Sequence, residues 1–220
     1  MRQVNGVPQI VDILDTKKMQ AEMSIADTIN GHLFTAQSGT NIDSILDFIP
    51  NDPTTGTVGG INRATAGNEF WRTQNTSGAS SSTAFDNLLS TMRTIYNTCS
   101  ANSKKMGPPD LGVTTQTVYE GYEGLVDSQR QYGNEKLLNL GFFNLAFKTT
   151  GILFDLDCSS GNFFFINSKS IELAVHKDAF FQTTDFVKPT NQDALVAQIL
   201  FQGNMTMRHA SSNGSIDAIT

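Results

Sequence analysis

The chain has 220 residues, of which 16% are charged, against roughly 25% in an average soluble domain. Thr (24), Ser (18) and Asn (18) take the place of charge, which excludes a coiled coil or simple helical bundle and favours a mixed fold. The net charge of -6 and the lack of a Lys/Arg block exclude a dedicated nucleic-acid binder. No apolar run is long enough for a membrane span. Two cysteines are too few for a disulfide framework, so we expect folding in a reducing compartment.

Residues 8–34 are predicted to form a long helix. Pro8 suits the first helical position, because the N–H that proline lacks has no intrahelical partner there. Apolar residues at four- and seven-residue steps form one stripe: Leu14, Ala21, Ile25, Ile29 and Leu33. A helix of this length exceeds the ordinary globular helix and is long enough to span a whole domain.

Residues 35–83 are rich in Gly, Thr, Ser, Asn and Pro, which predicts an ordered, loop-rich connection. Within it, only residues 42–49 and the pair Phe70 and Trp71 are apolar enough to enter a core. The Gly-rich run 55–60 lacks the Gly-Lys-Ser/Thr ending of a phosphate-binding loop, so we interpret it as an ordered loop.

Apolar residues recur at helical spacing over residues 84–103, which predicts a second helix. Thr83, just before it, is a suitable N-cap residue. The break at residues 107–110 is followed by a short buried strand at 111–114 and a third helix over about 115–126.

The chain is predicted to be rich in strands from residue 142 onward. Eleven of the 15 Phe lie between residues 142 and 201. Three consecutive phenylalanines, 163–165, predict a strand that is buried on both faces. Residues 195–207 alternate apolar with polar side chains, which predicts one long strand with a mostly polar face. Asn213 and Gly214 predict a hairpin turn into a closing strand at 215–219. Further strands are predicted at 152–156 and 171–176.

Catalytic patterns are weak in this sequence. The chain has three isolated histidines: His32, His176 and His209. None has a partner at a zinc-ligand spacing, so no metal and no cofactor is predicted. His176 could act as a general base that Asp178 orients. Asp155 and Asp157 could act as paired carboxylates, and Cys158 could act as a nucleophile. A strand-end histidine, a solvated strand end and a small buried thiol explain the same residues better.

A family resemblance covers most of the chain in four stretches. The segment 184–206, TDFVKPTNQDALVAQILFQGNMT, closely resembles the C-terminal strand of tailed-bacteriophage major capsid proteins. The segment 109–120, PDLGVTTQTVYE, resembles the strand-to-helix segment of their axial domain. The run 56–63, GTVGGINR, with FWR at 70–72 resembles their Gly-rich loop and following tryptophan, and residues 8–34 resemble their spine helix.

The resemblance implies the α+β shell fold that phage capsids share with encapsulins. A peripheral domain would carry the spine helix and a long β-element, and an axial domain would hold a mixed sheet flanked by helices. We expect residues 1–80 to form a peripheral part with the spine helix and Gly-rich loop, and residues 81–168 an axial part. Residues 169–220 would form a C-terminal β-rich segment whose long strand returns to the body.

The function implied is that of a non-enzymatic structural subunit of a phage or prophage icosahedral capsid, built from pentamers and hexamers around the genome. Two alternatives stay open: an encapsulin-like compartment shell, and a hydrolase that uses Asp155, Asp157 or His176. The implied location is the virion capsid, assembled in the host cytoplasm.

The partners implied are other copies of the chain, with scaffolding, portal and decoration proteins. Packaged double-stranded DNA would be bound only weakly and non-specifically, and no membrane, cofactor, metal or catalytic residue is implied. Eight residues are expected to organise the assembly surfaces: Gly59, Gly60, Trp71, Asn191, Gln192, Asp193, Gly203 and Asn204.

Members of this family normally carry an N-terminal arm and an extended loop ahead of the spine helix. That loop lies over a neighbouring subunit. Here the predicted helix begins at Pro8, so we expect a truncated, processed or reduced-arm form of such a chain.

Overall fold

The computed structural model describes residues 7–36, 39–77, 84–130, 145–193 and 195–219. The helices in these ranges are α1 (Val7–Phe34), α2 (Ile45–Phe48), α3 (Ala84–Asn102) and α4 (Gln116–Arg130). The first strands are β1 (Thr57–Val58), β2 (Ile61–Asn62), β3 (Gln74–Ser77), β4 (Leu111–Thr114) and β5 (Ala146–Phe147). The later strands are β6 (Thr150–Phe154), β7 (Phe163–Ile166), β8 (Ile171–Thr183), β9 (Ile199–Met207) and β10 (Gly214–Asp217).

Six of these strands form one mixed sheet in the order β3-β10-β7-β4-β6-β5. The pairs β3–β10 and β4–β6 are parallel, and the other neighbours are antiparallel. The remaining strands form a short β1–β2 hairpin and a long antiparallel β8–β9 ribbon. The ribbon is a separate two-stranded unit, so its stability depends on what packs against it.

The strand β7 is buried on both faces, as predicted. Phe163 and Phe165 lie on one face of the sheet, where the helices α3 and α4 cover them. Phe164 and Ile166 alternate onto the opposite face. The sheet therefore has a core on each side.

The first core is formed mainly by α3 and α4 against the sheet. Its helical members recur every three or four residues, as an amphipathic helix requires: Leu88, Met92, Ile95, Tyr96, Cys99, Val118 and Tyr122. Aromatic rings dominate its centre, with the Phe163 and Phe165 ring centroids 4.7 Å apart. The predicted helices at 84–103 and 115–126 are confirmed, and α4 extends four residues further. The predicted N-cap, Thr83, lies outside the described residues.

The second core joins three segments that are distant in the sequence. Phe34 at the end of α1 and Met205 of β9 meet Phe164 there, beneath α2. Ser44 and Asp47 form a capping box that begins α2. The buried members of α2 and its flank are Ile45, Phe48 and Ile49, so the prediction that 42–49 enters a core is confirmed.

The helix predicted at 8–34 is confirmed as α1, but its stripe is less buried than the spacing suggests. Ala21 is exposed, while Ile25, Ile29 and Leu33 are half-buried. Among its described side chains, only Leu33 and Phe34, in the last turn, belong to the second core. The side chain of Leu14 lies outside the described residues.

The hairpin predicted at Asn213 and Gly214 is wrong. The strand β10 pairs with β3 and β7, not with β9. Asn213 has extended backbone, with φ -115°, and its buried side chain binds neighbouring segments instead of forming a turn. Its Oδ1 accepts from the backbone N–H of Asn167, and its Nδ2 donates to the carbonyl of His209.

Two strand boundaries also differ from the prediction. The strand expected at 171–176 continues to Thr183 as β8. The long strand expected at 195–207 becomes β9 only from Ile199. Before that point, one isolated bridge joins Val196 to Val187. Alternation in a sequence predicts which side chains lie on each face of a strand. A strand also needs a neighbouring strand that pairs with it in register, and alternation does not show where that pairing ends.

Removal of the Phe164 ring should destabilise the protein strongly. The ring is fully buried, so Phe164→Ala is expected to lower the free energy of unfolding by about 3–5 kcal/mol. Urea unfolding followed by tryptophan fluorescence measures this loss. Leu156→Ala is the control, because Leu156 is 80% exposed, and it should change stability by less than about 0.5 kcal/mol. Equal losses for the two variants would contradict the two-sided core.

Candidate assembly surface

The β8–β9 ribbon leaves the body of the protein at the second core. Ile171 and Met207 pair at its root, and the ladder runs from there to Val175 and Gly203. Residues 176–179 of β8 then lie opposite Gln202 alone, after which pairing resumes. This bulge divides the ribbon into a root and a tip, and bulges bend and twist the strands that carry them.

The tip of the ribbon, residues 180–201, carries many apolar side chains outside both cores. The rings of Phe180, Phe181 and Phe201 contact one another at centroid distances of 5.2 to 6.2 Å. Several large apolar side chains exposed in one segment make the tip a candidate interaction surface. The exposed apolar residues of the tip are Phe180, Phe186, Val187, Leu195, Val196 and Leu200.

Gly203 lies where the two strands of the ribbon approach closely. A Cβ at this position would lie 2.9 Å from the carbonyl oxygen of Ala174 and 3.1 Å from a methyl carbon of Val175. Glycine therefore satisfies a steric limit at this point of the ribbon root.

The neighbouring Asn204 holds the loop before α2 against the ribbon. Its Nδ2 donates to Asp43 Oδ2, and its Oδ1 accepts from the backbone N–H of Asp43, both at 2.8 Å. The two bonds fix one side chain in one orientation, so the loop and the ribbon root are held together.

The Gly-rich segment forms the β1–β2 hairpin, and the next element along the chain is a 3₁₀ turn, not an α-helix. Gly59 and Gly60 occupy its two-residue turn with φ values of 59° and 78°. A two-residue turn with positive φ at both positions suits glycine, because side chains at such φ values are strained. The interpretation of this run as an ordered loop is confirmed.

Trp71 lies beside this hairpin, and its Nε1 donates to the carbonyl of Val58 at 3.1 Å. Its side chain is half-buried, whereas Phe70 is 60% exposed. The expectation that Phe70 enters the core is therefore wrong. Both residues lie in a single 3₁₀ turn (Glu69–Trp71), in which successive side chains point in different directions.

Arg63 is a residue whose role the sequence did not reveal. Its side chain is fully buried and donates to three backbone carbonyls: those of Trp71 (3.2 Å), Asp47 (3.4 Å) and Phe48 (2.5 Å). Burial lowers the pKa of its guanidinium. Arg63 thus ties the Gly-rich hairpin to α2. No sequence signal distinguishes it, since arginine is normally exposed.

The eight predicted assembly residues occupy separate parts of this surface. Gly59, Trp71 and Asn204 line one cleft of about 320 Å³ between the hairpin and β9, and Gly60 follows in the same turn. Gly203 lines a second cleft of about 440 Å³ between β9 and α1. The last three lie at the exposed far end of the ribbon: Asn191, Gln192 and Asp193.

The candidate catalytic residues are also separated. Asp155 and Asp157 follow the end of β6 and both accept from the side chain of Asn30. His176 lies in the ribbon bulge, where its Nδ1 accepts from the backbone N–H of Asp178. Among the described side chains, no hydrogen bond joins His176 to either carboxylate.

Cys158 is a buried thiol, as expected of a small apolar residue. Burial, with a smaller contribution from Asp155, raises the pKa of this thiol to about 12. It is therefore protonated at neutral pH and lacks the thiolate that nucleophilic catalysis needs.

The described part of the chain contains no cluster of three His, Cys, Asp or Glu side chains suited to a metal. Within the same residues, no helix combines the length and apolarity needed to cross a membrane.

Comparisons with known proteins give a structural match without a sequence match. No family model and no curated protein matches the chain. Among solved structures, the chain is similar to the capsid asymmetric unit of cyanophage A-1(L), with a TM-score of 0.62 and 14% identity. The match covers 91% of this chain and 70% of the phage chain. The protein has the α+β fold of a phage capsid protein. The fold class expected from the sequence is thereby confirmed.

A side chain at Gly203 should disturb the ribbon of this capsid fold. Gly203→Val places atoms against Ala174 and Val175 and is expected to lower the free energy of unfolding by about 1–3 kcal/mol. Gly151→Val is the matched control, since Gly151 lies in β6 and its Cβ would meet no atom within 4 Å. Thermal unfolding of both variants measures the difference. Unchanged stability of Gly203→Val would contradict the position assigned to β9.

Loss of the Arg63 guanidinium should destabilise the hairpin and α2 together. Arg63→Met keeps an apolar stem but leaves three carbonyls without this donor, at an expected cost of about 2–4 kcal/mol. Arg93→Met, at an exposed position of α3, is the control and should be nearly neutral. Denaturant unfolding measures the loss of stability in both variants. Equal losses would show that the Arg63 side chain does not hold the hairpin and α2 together.

Proposed function

We propose that the protein is a structural subunit of a bacteriophage or prophage capsid, which self-assembles into pentamers and hexamers around the genome. The observation that carries this proposal is the capsid fold combined with an apolar ribbon tip whose described side chains are exposed. Such a tip suits contact with another protein surface.

The charge of the chain supports the same function. Few charged residues and many Thr, Ser and Asn suit a surface that packs against copies of itself with little electrostatic repulsion. The net charge of -6 disfavours tight binding of packaged DNA, which is itself strongly negative. Weak, non-specific contact with double-stranded DNA is part of the proposal.

The clefts on either side of the ribbon support contact by extended surfaces. The Gly-rich hairpin and α1 flank β9, and each leaves an open cleft against it. We propose that Gly59, Gly60, Trp71, Gly203 and Asn204 shape these contacts. The loop residues Asn191, Gln192 and Asp193 would extend them at the far end of the ribbon.

A hydrolytic function has less support from the geometry. Asp155 and Asp157 bind Asn30, while His176 binds its own strand. These groups are therefore already engaged in local structure, and we propose a non-enzymatic role.

The finer features of the proposal follow the family resemblance. Residues 1–80 would belong to the peripheral domain, residues 81–168 to the axial domain, and residues 169–220 to the returning β-rich segment. Scaffolding, portal and decoration proteins are the proposed partners, with assembly in the host cytoplasm and a final location in the virion.

Particle formation tests the proposal directly. The purified chain is expected to form rings, tubes or shells far above its 24.0 kDa subunit mass, measured by light scattering and negative-stain imaging. Leu195→Lys, at a side chain 69% exposed on the tip, should reduce these particles to small species. Leu156→Lys, a leucine of similar exposure outside the ribbon, is the control and should preserve them.

A parent chain that stays monomeric at every concentration would contradict self-assembly. The content of particles isolated from their natural source separates the two kinds of shell. Nuclease-resistant double-stranded DNA supports a phage capsid, whereas a stoichiometric protein cargo supports the encapsulin-like alternative.

A further inference from the structure

We propose that one end of the central sheet is the surface through which the protein meets packaged double-stranded DNA, and that Lys104, Lys105 and Lys169 bind its phosphates. This inference rests on the proposed function and deepens one part of it. It assigns the weak contact with DNA to named side chains, and it orients each subunit with this end toward the genome.

The two ends of the sheet are defined by the register of its strands. The strands β4 and β6 are parallel, β7 runs antiparallel to β4, and β10 runs antiparallel to β7. The segments before β4, β6 and β10 therefore lie at the same end as the segment after β7. This end, called the basic end below, is formed by residues 103–110, 148–149, 167–170 and 208–213. The opposite end, called the acidic end, is formed by residues 115–120, 155–162 and 217–219.

The two ends carry opposite charge. The basic end contains four lysines and one arginine against a single acidic residue, Asp110. Its arginine, Arg208, forms an ion pair with Glu172, so the lysines supply the net positive charge. The acidic end contains no Lys or Arg and four carboxylates: Glu120, Asp155, Asp157 and Asp217.

Two buried asparagines hold the loops of the basic end together. Asn167 Nδ2 donates to the carbonyl of Gly107 at 2.8 Å, which joins the loop 167–170 to the loop 103–110. Asn213 Oδ1 accepts from the backbone N–H of Asn167 at 2.8 Å, which adds the loop before β10. Both asparagines are at most 1% exposed, and satisfied polar networks in the interior are rigid. The fold thereby assembles a basic surface that no continuous stretch of the sequence contains.

Three of the four lysines are available to an external anion. Lys104, Lys105 and Lys169 are exposed, and none of them takes part in the ion pairs found among the described residues. The fourth, Lys148, is engaged, because its Nζ donates to Asn97 Oδ1 at 2.5 Å. Three ammonium groups on flexible stems therefore extend from a rigid base.

The chemistry of the basic end suits the phosphate backbone of double-stranded DNA. Its four segments contain no Phe, Tyr or Trp, so they lack the rings on which the bases of a single strand stack. Contacts from lysine to phosphate carry no sequence information. The acidic end repels phosphates, so the charge distribution turns the basic end toward DNA. Three contacts in a chain of net charge -6 predict weak, non-specific and salt-sensitive binding.

The salt dependence of DNA binding tests the assignment. The chain is attached sparsely to a sensor surface through an N-terminal biotin, so that neighbouring copies do not assemble and both ends stay accessible. The probe is a double-stranded DNA of mixed sequence and about 30 base pairs, applied at about 20 to 200 mM salt. The measured quantity is the slope of log K against log salt concentration.

Three phosphate contacts predict a slope of about -2.7 for the parent, since each contact contributes about -0.9. The double variant Lys104→Gln, Lys105→Gln should reduce the slope to about -0.9. The double variant Lys17→Gln, Lys18→Gln is the matched control. It removes the same charge from an adjacent, exposed lysine pair on α1 and should keep the parent slope.

A parent slope near zero would overturn the proposal, and so would an equal reduction by the control. Thermal unfolding verifies that each variant is folded. If the Lys104 and Lys105 double variant does not fold, Lys169→Gln alone must reduce the slope by about 0.9. An unchanged slope in that variant overturns the proposal equally.

Particle formation by the same variants separates this inference from the proposed function. The basic-end variants should form the same particles as the parent by light scattering. Loss of particles in these variants alone would assign the basic end to a contact between copies, which overturns the inference and leaves the capsid function standing. A parent that binds DNA with the expected slope but stays monomeric would contradict self-assembly and leave the DNA-binding residues assigned.

Discussion

The arrangement of this protein depends on burying both faces of one short strand. Three phenylalanines and an isoleucine in β7 (Phe163–Ile166) alternate between the two sides of the sheet. Each such side chain contributes on the order of 2 kcal/mol only if it is removed from water. A layer must therefore cover each face. The helices α3 and α4 supply one layer, and the other is assembled from α2, the end of α1 and the root of the ribbon.

The second layer determines what the protein presents to its surroundings. Because Phe34 of α1 and Met205 of β9 both belong to that core, α1 and the β8–β9 ribbon are joined to the body there. Most of their described side chains lie outside both cores. The apolar tip, the clefts beside β9 and the exposed part of α1 all follow from this anchoring.

Polar side chains set the geometry where the apolar cores do not reach. Arg63 binds the hairpin to α2 through carbonyl groups, Asn204 binds the ribbon to Asp43, and Asn30 binds α1 to the loop after β6. Each uses several hydrogen bonds from one side chain, which fixes direction as well as distance. These residues connect segments that apolar packing alone would leave adjustable.

The sequence by itself determined the elements whose pattern is local. Helical spacing located α1, α3 and α4, and the three phenylalanines predicted a strand buried on both faces, because these periodicities depend on neighbours a few residues apart. The resemblance of four stretches indicated the capsid fold and selected Gly203, whose close contact with Ala174 then emerged in the structure. Only the tertiary structure decided the partners of β10, the extension of β8, the exposure of Phe70 and the burial of Arg63. These four features depend on strand pairing and on carbonyl groups contributed by distant segments. A local pattern of side chains does not show which distant segments come into contact.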